Sequence, residues 1–248
     1  MTMQQTEVIW LKTIECPLCY EEFTTENIWQ NKVIVLKEYP DLGKKYQGTN
    51  PLYYSVWVCP ACYYADFRGD EYFSTGRIND EAFEDDFDIL ELVAEKANFR
   101  EPRTFSLAVK AYKLAILCAK HKKSSLARIG TFNLRLAWLY RSLQKTNLEK
   151  KYLQYTLNYY LDAFTSEDKP DFGSLSDGGI TYLMGELYRQ TGDIKQAMQF
   201  FQKVLNAKEM NTEPKYLKQA RLQCDLLSDM LKSQKSKPSS ETKDEKSE

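Results

Sequence analysis

The stretch Asn50–Cys62, NPLYYSVWVCPAC, ends in a Cys-x-x-Cys pair and decides how the front of the chain is interpreted. A matching pair, CPLC, lies upstream at Cys16–Cys19. Each pair lets two thiolates point at one centre, so two pairs complete a tetrahedral shell of four sulfur atoms. The spacing therefore predicts a metal site formed by four cysteines. They are Cys16, Cys19, Cys59 and Cys62.

Strand-like runs accompany the two pairs. Residues 8–11 lead toward the first pair, residues 53–58 lead into the second, and residues 33–36 lie between them. Strands that alternate with cysteine turns are typical of a zinc ribbon with rubredoxin-like knuckles, so residues 1–65 are predicted to form a small β head. We expect one zinc ion per chain. Iron stays open as the metal, because a tetrahedral four-sulfur site does not separate zinc from iron.

Two other uses of paired cysteines fit the sequence less well. Disulfides suit exported proteins, but the first ten residues, MTMQQTEVIW, lack the basic and apolar regions of a signal peptide. A thioredoxin-like site needs a single Cys-x-x-Cys in a βαβ setting, whereas this chain has two matched pairs. A closed shell of four thiolates also leaves no position for an activated water, so hydrolysis at this site is not expected.

From Pro102 onward the apolar residues follow a helical period. One broad stripe runs from Phe105 to Ala119, and further helices are predicted over 124–145, 148–165, 178–191, 194–207 and 214–232. Short turns join most of these helices, which indicates stacked helical hairpins. The predicted fold class is therefore α+β, with the β head followed by an all-α domain over residues 102–232.

Residues 178–209 carry the spacing of a tetratricopeptide repeat, with small and aromatic residues at the repeat's positions from Gly185 to Val204. In such a repeat the first helices line a concave groove, and aromatic and Arg residues dominate interface energetics. The candidate partner-binding residues are Leu134, Trp138, Arg141, Tyr182, Glu186 and Arg189. Burial in the core is the competing interpretation, above all for Trp138.

Acidic and basic side chains are distributed unevenly along the chain. Residues 66–101 carry 12 acidic against 4 basic side chains, and residues 102–232 carry 21 basic against 12 acidic side chains. The first segment is predicted to be an acidic connector that is helical around Phe83–Ala94. Residues 233–248 contain no apolar side chain that could offset the entropy of ordering, so this tail is predicted to be disordered.

The motifs of common enzyme classes are missing. The chain has one His, no G-x-x-x-x-G-K-[ST] and no G-x-G-x-x-G, and no Ser-His-Asp or Cys-His site can be assembled around His121. An enzyme is therefore not predicted. No apolar run approaches the ~20 residues of a membrane span, so we expect a cytoplasmic protein that does not enter a membrane.

The motifs at Cys16–Cys19 and Asn50–Cys62 resemble those of an uncharacterised bacterial family that pairs a C-P-x-C zinc-ribbon front with a tetratricopeptide-like back. The resemblance covers residues 7–232. It implies that the four paired cysteines carry metal in a bacterial cytoplasm, and it implies no activity. Tyr20 and Tyr63 depart from such knuckles, which usually have Gly just after the second cysteine.

These observations predict an interaction or scaffold protein, in which a metal-stabilised head is joined to a helical groove that binds a protein or peptide. Nucleic-acid binding is the first alternative, because zinc ribbons often bind RNA or DNA and residues 102–232 are basic. Electron transfer through iron is the second. A further hypothesis is that the connector's Glu84, Asp85, Asp86 and Asp88 fold against the basic groove and compete with the partner. The sequence predicts no oligomeric state.

Overall fold

A computed structural model describes residues 8–74, 87–95, 97–206 and 212–235, and it combines short antiparallel strand pairs with a series of helices. The strands are β1 Ile9–Glu15, β2 Glu22–Ile28, β3 Ile34–Glu38, β4 Lys44–Gln47, β5 Val56–Val58 and β6 Ala65–Phe67. The helices are α1 Asp70–Phe73, α2 Phe87–Ala94, α3 Phe105–His121, α4 Leu126–Ser142, α5 Thr146–Ser166, α6 Asp177–Thr191, α7 Ile194–Asn206 and α8 Pro214–Lys235. The α+β prediction is confirmed at this level.

The strands form three separate two-stranded ribbons, each antiparallel. β1 pairs with β2 from Ile9↔Ile28 to Glu15↔Glu22, and β5 pairs with β6 from Val56↔Phe67 to Val58↔Ala65. All residues of β5 and β6 are buried, whereas every residue of β3 is exposed. The third ribbon, β3–β4, is therefore a surface hairpin, while β5–β6 belongs to the core.

The chain divides into two compact units between Ser174 and Leu175. In the first unit the β5–β6 ribbon and α3 share one apolar core, in which Trp57, Tyr72, Tyr112 and Leu114 are fully buried. The apolar strands β5 and β6 therefore pack on α3 rather than in a separate core of their own.

The second unit is built from α6, α7 and α8. Gly185 allows α6 and α7 to approach closely, since a Cβ atom there would meet the Phe201 ring at 2.6 Å. Gly192 ends α6 in the left-handed conformation with φ 102°, and its N–H donates to the carbonyl of Tyr188. Such a cap needs Gly because a side chain is strained at positive φ.

Helix positions agree with the sequence-based ranges. The ends of α3 to α8 lie within about three residues of the predictions, and α2 covers the described part of the predicted connector helix, with Leu90 and Ala94 buried. Phe83 and the acidic residues Glu84, Asp85 and Asp86 lie outside the described residues, and so does most of the predicted tail, 236–248.

Candidate metal centre and cleft

The two Cys-x-x-Cys pairs fold into turns with the same hydrogen bonds. After β1, Cys16 N–H donates to the Glu21 carbonyl at 2.9 Å, and Tyr20 N–H donates to the Cys16 carbonyl at 3.0 Å. After β5, Cys59 N–H donates to the Tyr64 carbonyl and Tyr63 N–H donates to the Cys59 carbonyl, at the same two distances. The repeated geometry places each pair of thiols on the inner side of a tight turn.

Both turns place a tyrosine where the backbone is left-handed. Tyr20 has φ 61° and Tyr63 has φ 60°, the region in which Gly is normally favoured. This conformation costs roughly 1–2 kcal/mol for a residue with a side chain. Tyr63 stacks on Phe87 at 6.0 Å between ring centroids, whereas Tyr20 is 73% exposed. The ring contact offsets part of the cost at Tyr63, and no comparable contact is described at Tyr20.

The four thiols of the two turns converge. All four sulfur atoms lie within 4.8 Å of one another, with 3.7 Å between the Sγ atoms of Cys16 and Cys62 and 3.5 Å between those of Cys19 and Cys59. Four thiolates around an ion with metal–sulfur bonds of about 2.3 Å would lie about 3.8 Å apart. No disulfide joins them. This donor set could therefore hold a metal ion.

Electrostatics within the cluster favour one thiolate but not several. Hydrogen bonding from Cys59 and Cys62 lowers the pKa of Cys16, although burial opposes that shift. The hydrogen bond to Cys16 raises the pKa of Cys59 and of Cys62, and burial raises both further. Several thiolates at this distance repel each other, so the fully deprotonated cluster requires a cation at its centre.

Tyr72 is fully buried and lies beside this cluster. Burial raises the pKa of Tyr72, and the neighbouring thiols of Cys16 and Cys59 raise it further. Its ring packs against Trp57 at 5.7 Å between centroids. Burial is uneven across the cluster, since Cys16 and Cys59 are buried whereas Cys19 is exposed.

The candidate partner-binding residues of the first unit have different positions. Leu134 is buried, so it packs in the core. Trp138 and Arg141 are half-buried and line a cleft of about 320 Å³ between the β3–β4 hairpin and the C-terminal end of α4. Of the three, only these last two are accessible from the surface.

A buried carboxylate joins Trp138 and Arg141. Asp41, which is fully buried, accepts hydrogen bonds from Trp138 Nε1 at 3.2 Å and from Arg141 Nη1 at 2.8 Å. Arg141 also donates to Glu149 at 2.6 Å. Burial alone would lower the pKa of Arg141, but Asp41 and then Glu149 raise it. Sequence reasoning missed Asp41, because a lone Asp before Leu-Gly is a normal turn signal and its helical partners lie about a hundred residues away.

In the second unit the candidate residues pair mainly with each other. Tyr182 and Glu186 are fully buried, and the Glu186 carboxylate accepts from Arg189 Nη2 at 2.7 Å. The Tyr182 ring lies 5.5 Å from that of Tyr216 in α8. Arg189 keeps about a third of its side chain exposed. The burial has a simple cause: α8 packs over the face of α6 that carries Tyr182. Their role in partner contact stays a prediction.

Among the described residues, no helix has both the length and the apolar character that a membrane crossing requires. The fold and the site thus define a class: an α+β protein with two compact units and a four-cysteine centre that could hold a metal ion.

The family model for proteins described as uncharacterised and conserved in bacteria, DUF2225, matches residues 9–227. The chain belongs to this family. It is also similar to an uncharacterised protein of Borreliella burgdorferi, with 29% identity over 157 residues that cover 56% of this chain and 55% of that protein. The chain therefore spans about half the length of this relative. No solved structure matches the chain.

Proposed function

We propose that the protein is a zinc-stabilised interaction protein. Four cysteines hold one zinc ion in the head, and the helical hairpins, of tetratricopeptide type, present a surface for a protein or peptide partner in the cytoplasm. The observation that carries the proposal is the convergence of four thiols within 4.8 Å from two matching turns.

Zinc suits this donor set because tetrahedral four-thiolate sites are typical structural zinc sites. The site also joins two separate ribbons, because β1–β2 and β5–β6 contribute one cysteine turn each. A two-stranded ribbon alone is marginally stable in water. A metal that ties the two turns together would therefore act as a folding element, and the proposal includes no catalytic step.

Exposed apolar surface supports the interaction part of the proposal. Ile34, Val35 and Leu36 are consecutive on β3, and they are 56%, 45% and 55% exposed. β3 pairs with β4 on one side, and no other strand of the described residues pairs with it. A strand that leaves apolar side chains and one backbone edge uncovered is a typical site for contact with another chain.

The first test is the metal content of protein purified without added metal or chelator, measured by elemental analysis. We expect about one zinc per chain, as a closed four-thiolate site requires. Iron in the same amount would replace the structural role with electron transfer. Absence of any metal from protein with reduced, intact cysteines would contradict the proposal.

The interaction part needs a separate test. Co-purified proteins from bacterial cells should be compared between the wild type and the double variant Ile34→Lys, Leu36→Lys, with Lys150→Glu on the exposed surface of α5 as the control. We expect at least one partner protein to be lost from the Ile34→Lys, Leu36→Lys variant and to be kept by the Lys150→Glu control. Identical sets of bound proteins in all three samples would contradict it for this surface.

A further inference from the structure

We propose that the cleft between the β3–β4 hairpin and the C-terminal end of α4 is a binding site for a nucleoside phosphate. The cleft has a volume of about 320 Å³ and lies within the first unit. This inference goes beyond the interaction function and does not depend on the metal centre.

Aromatic rings make up much of the lining. Tyr39, Tyr46, Tyr53 and Trp138 all face the cleft. Every nucleobase has a π face, and bases stack favourably on aromatic side chains. Four rings around a space of this size match one planar base and its sugar better than they match an isolated anion.

Buried partners hold two of the rings in place before any ligand arrives. Trp138 donates to the buried carboxylate of Asp41, and the guanidinium carbon of Arg141 lies 4.8 Å from the centroid of the Tyr39 ring. Gly43 lets the hairpin turn approach this group closely, since a Cβ atom there would lie 2.9 Å from both Trp138 and Arg141. A site that is already ordered loses less conformational entropy on binding.

Positive charge lies at the edge of the same cleft. Lys44 and Lys45 line it, and Lys45 stands directly opposite Lys37 in the β3–β4 ladder. Two like charges in directly opposed positions destabilise a ribbon, unless an anion lies between them. Lys37 Nζ lies 4.9 Å from the Tyr39 ring centroid, so its charge is close to the aromatic lining.

The acidic groups nearby do not neutralise these lysines. Glu38 is opposite Lys44 in the ladder, but it is one carboxylate against the three lysines Lys37, Lys44 and Lys45. Asp41 and Glu149 both form ion pairs with Arg141. These two carboxylates are therefore neutralised mainly by Arg141, which holds the walls of the cleft together. Lys37, Lys44 and Lys45 therefore supply an excess of positive charge beside the rings, and this combination suits a phosphate attached to a base.

An acidic peptide is the strongest rival ligand, because its carboxylates would suit the same lysines. A peptide's carboxylates do not need four aromatic rings. The Gln144 amide and the NH₂ group of Asn50, whose oxygen accepts from Leu52 N–H, also line the cleft and are suited to the edge of a base. A nucleoside phosphate can be a free nucleotide or one nucleotide of a single strand. Both share the chemistry that the cleft would recognise.

Titration of the full-length protein tests the proposal, with tryptophan fluorescence and calorimetry as readouts. The probes are AMP, UMP, adenosine, a five-nucleotide single strand and an acidic pentapeptide. We expect the monophosphates to bind, adenosine to bind at least about tenfold more weakly, and added salt to weaken phosphate binding. Equal affinity for AMP and for the five-mer would indicate a free nucleotide, and tighter, length-dependent binding would indicate a single strand.

Two variants assign binding to the cleft. Lys44→Glu with Lys45→Glu removes the proposed phosphate contacts at exposed positions, and Tyr46→Leu removes one ring. We expect each to weaken AMP binding about tenfold or more, which corresponds to about 1.4 kcal/mol. The matched control is Lys150→Glu with Lys151→Glu, an adjacent lysine pair on α5 that does not line the cleft.

Three results would overturn the proposal: no binding of any nucleotide, binding of the acidic pentapeptide as tight as that of AMP, or AMP affinity unchanged in the Lys44 and Lys45 variant. A thermal unfolding curve for each variant establishes that it is folded. Should Tyr46→Leu fail to fold, the lysine variant alone decides the outcome, because both of its positions are exposed.

Discussion

Each of the two units of the molecule is stabilised internally by a different kind of interaction. In the first unit, buried polar bonds and paired cysteines join residues that are far apart in sequence: Asp66 of β6 binds Lys122 and Arg128, 56 and 62 positions away. In the second unit, close packing joins neighbouring helices, and Gly185 meets Phe201 only 16 positions away. The first unit therefore adds specific long-range polar bonds to its apolar core, whereas the second depends on apolar contacts between its three helices.

We expect the largest loss of stability from removal of the four-thiol centre, and this change tests the difference between the units. Cys16→Ser or Cys59→Ser should unfold the head and weaken the α3 core that shares its packing, because a structural metal such as the proposed zinc would contribute on the order of 10 kcal/mol to this site. The second unit should keep its helices. All four tryptophans, Trp10, Trp29, Trp57 and Trp138, precede Ser174, so their fluorescence reports the first unit, while hydrogen exchange of α6–α8 reports the second.

Cys224→Ser is the matched control for these variants. Cys224 is a single, partly exposed thiol on α8 and lies outside the cluster. Its replacement should change neither metal content nor tryptophan fluorescence. The comparison between the units would be wrong if Cys16→Ser retained metal and an unchanged near-ultraviolet circular dichroism spectrum, or if α6–α8 exchanged as fast as the head.

The next largest effect is expected at the buried carboxylate of Asp66. Its side chain is 2% exposed, and it accepts from Lys122 Nζ at 2.7 Å and from Arg128 Nη2 at 2.6 Å. Asp66→Asn leaves Lys122 with only the neutral oxygens of Tyr64 and Ser74 as acceptors. Arg128 keeps its ion pair with Glu71, so the larger part of the loss falls on Lys122. Loss of one partner from a buried ion pair costs about 3–5 kcal/mol. Urea unfolding followed by tryptophan fluorescence should show a loss of this order in the free energy of unfolding of the first unit.

Glu95→Gln provides a control with the same change of charge at the surface. Glu95 pairs with Lys110 at 3.0 Å, but its side chain is 70% exposed. Exposed ion pairs contribute about 0–1 kcal/mol, so this variant should unfold close to the wild-type urea concentration. Equal destabilisation by the two variants would show that burial of Asp66 is not what makes its bonds important.

The same difference explains which parts of the molecule could be predicted. Helices α3 to α8 follow from periodicity, because each is defined by residues a few positions apart. The four cysteines were recognisable because the pattern of each pair is local, and only their meeting is long-range. β2, β4 and β6 were missed: β2, EFTTENI, is largely polar, and β6 is only three residues long. Such strands are specified by the partner they pair with.

The groove residues show a second limit of sequence reasoning. Repeat spacing placed Tyr182 and Glu186 on a first helix but could not say that α8 would cover that face. Trp138 and Arg141 lie at a surface cleft, but the turn residues that complete it, Tyr39 and Asp41, come from the head. A cleft between a hairpin and a distant helix has no local signature, because its two walls have unrelated sequence patterns.

The smallest expected effect is confined to the second unit and completes the comparison. In Gly185→Ala the new methyl group would lie 2.6 Å from the Phe201 ring, which must move for α6 and α7 to keep their spacing. Overpacking of this kind costs typically about 1–3 kcal/mol. Hydrogen exchange in α6 and α7 should accelerate, while the tryptophan-detected unfolding of the first unit stays at the wild-type urea concentration. The added change Phe201→Leu should restore part of the protection, since a smaller side chain makes room for the methyl group. If Gly185→Ala instead shifted the tryptophan transition as much as the exchange rates, the two units would unfold as one, and local packing could not be what separates the second unit from the first.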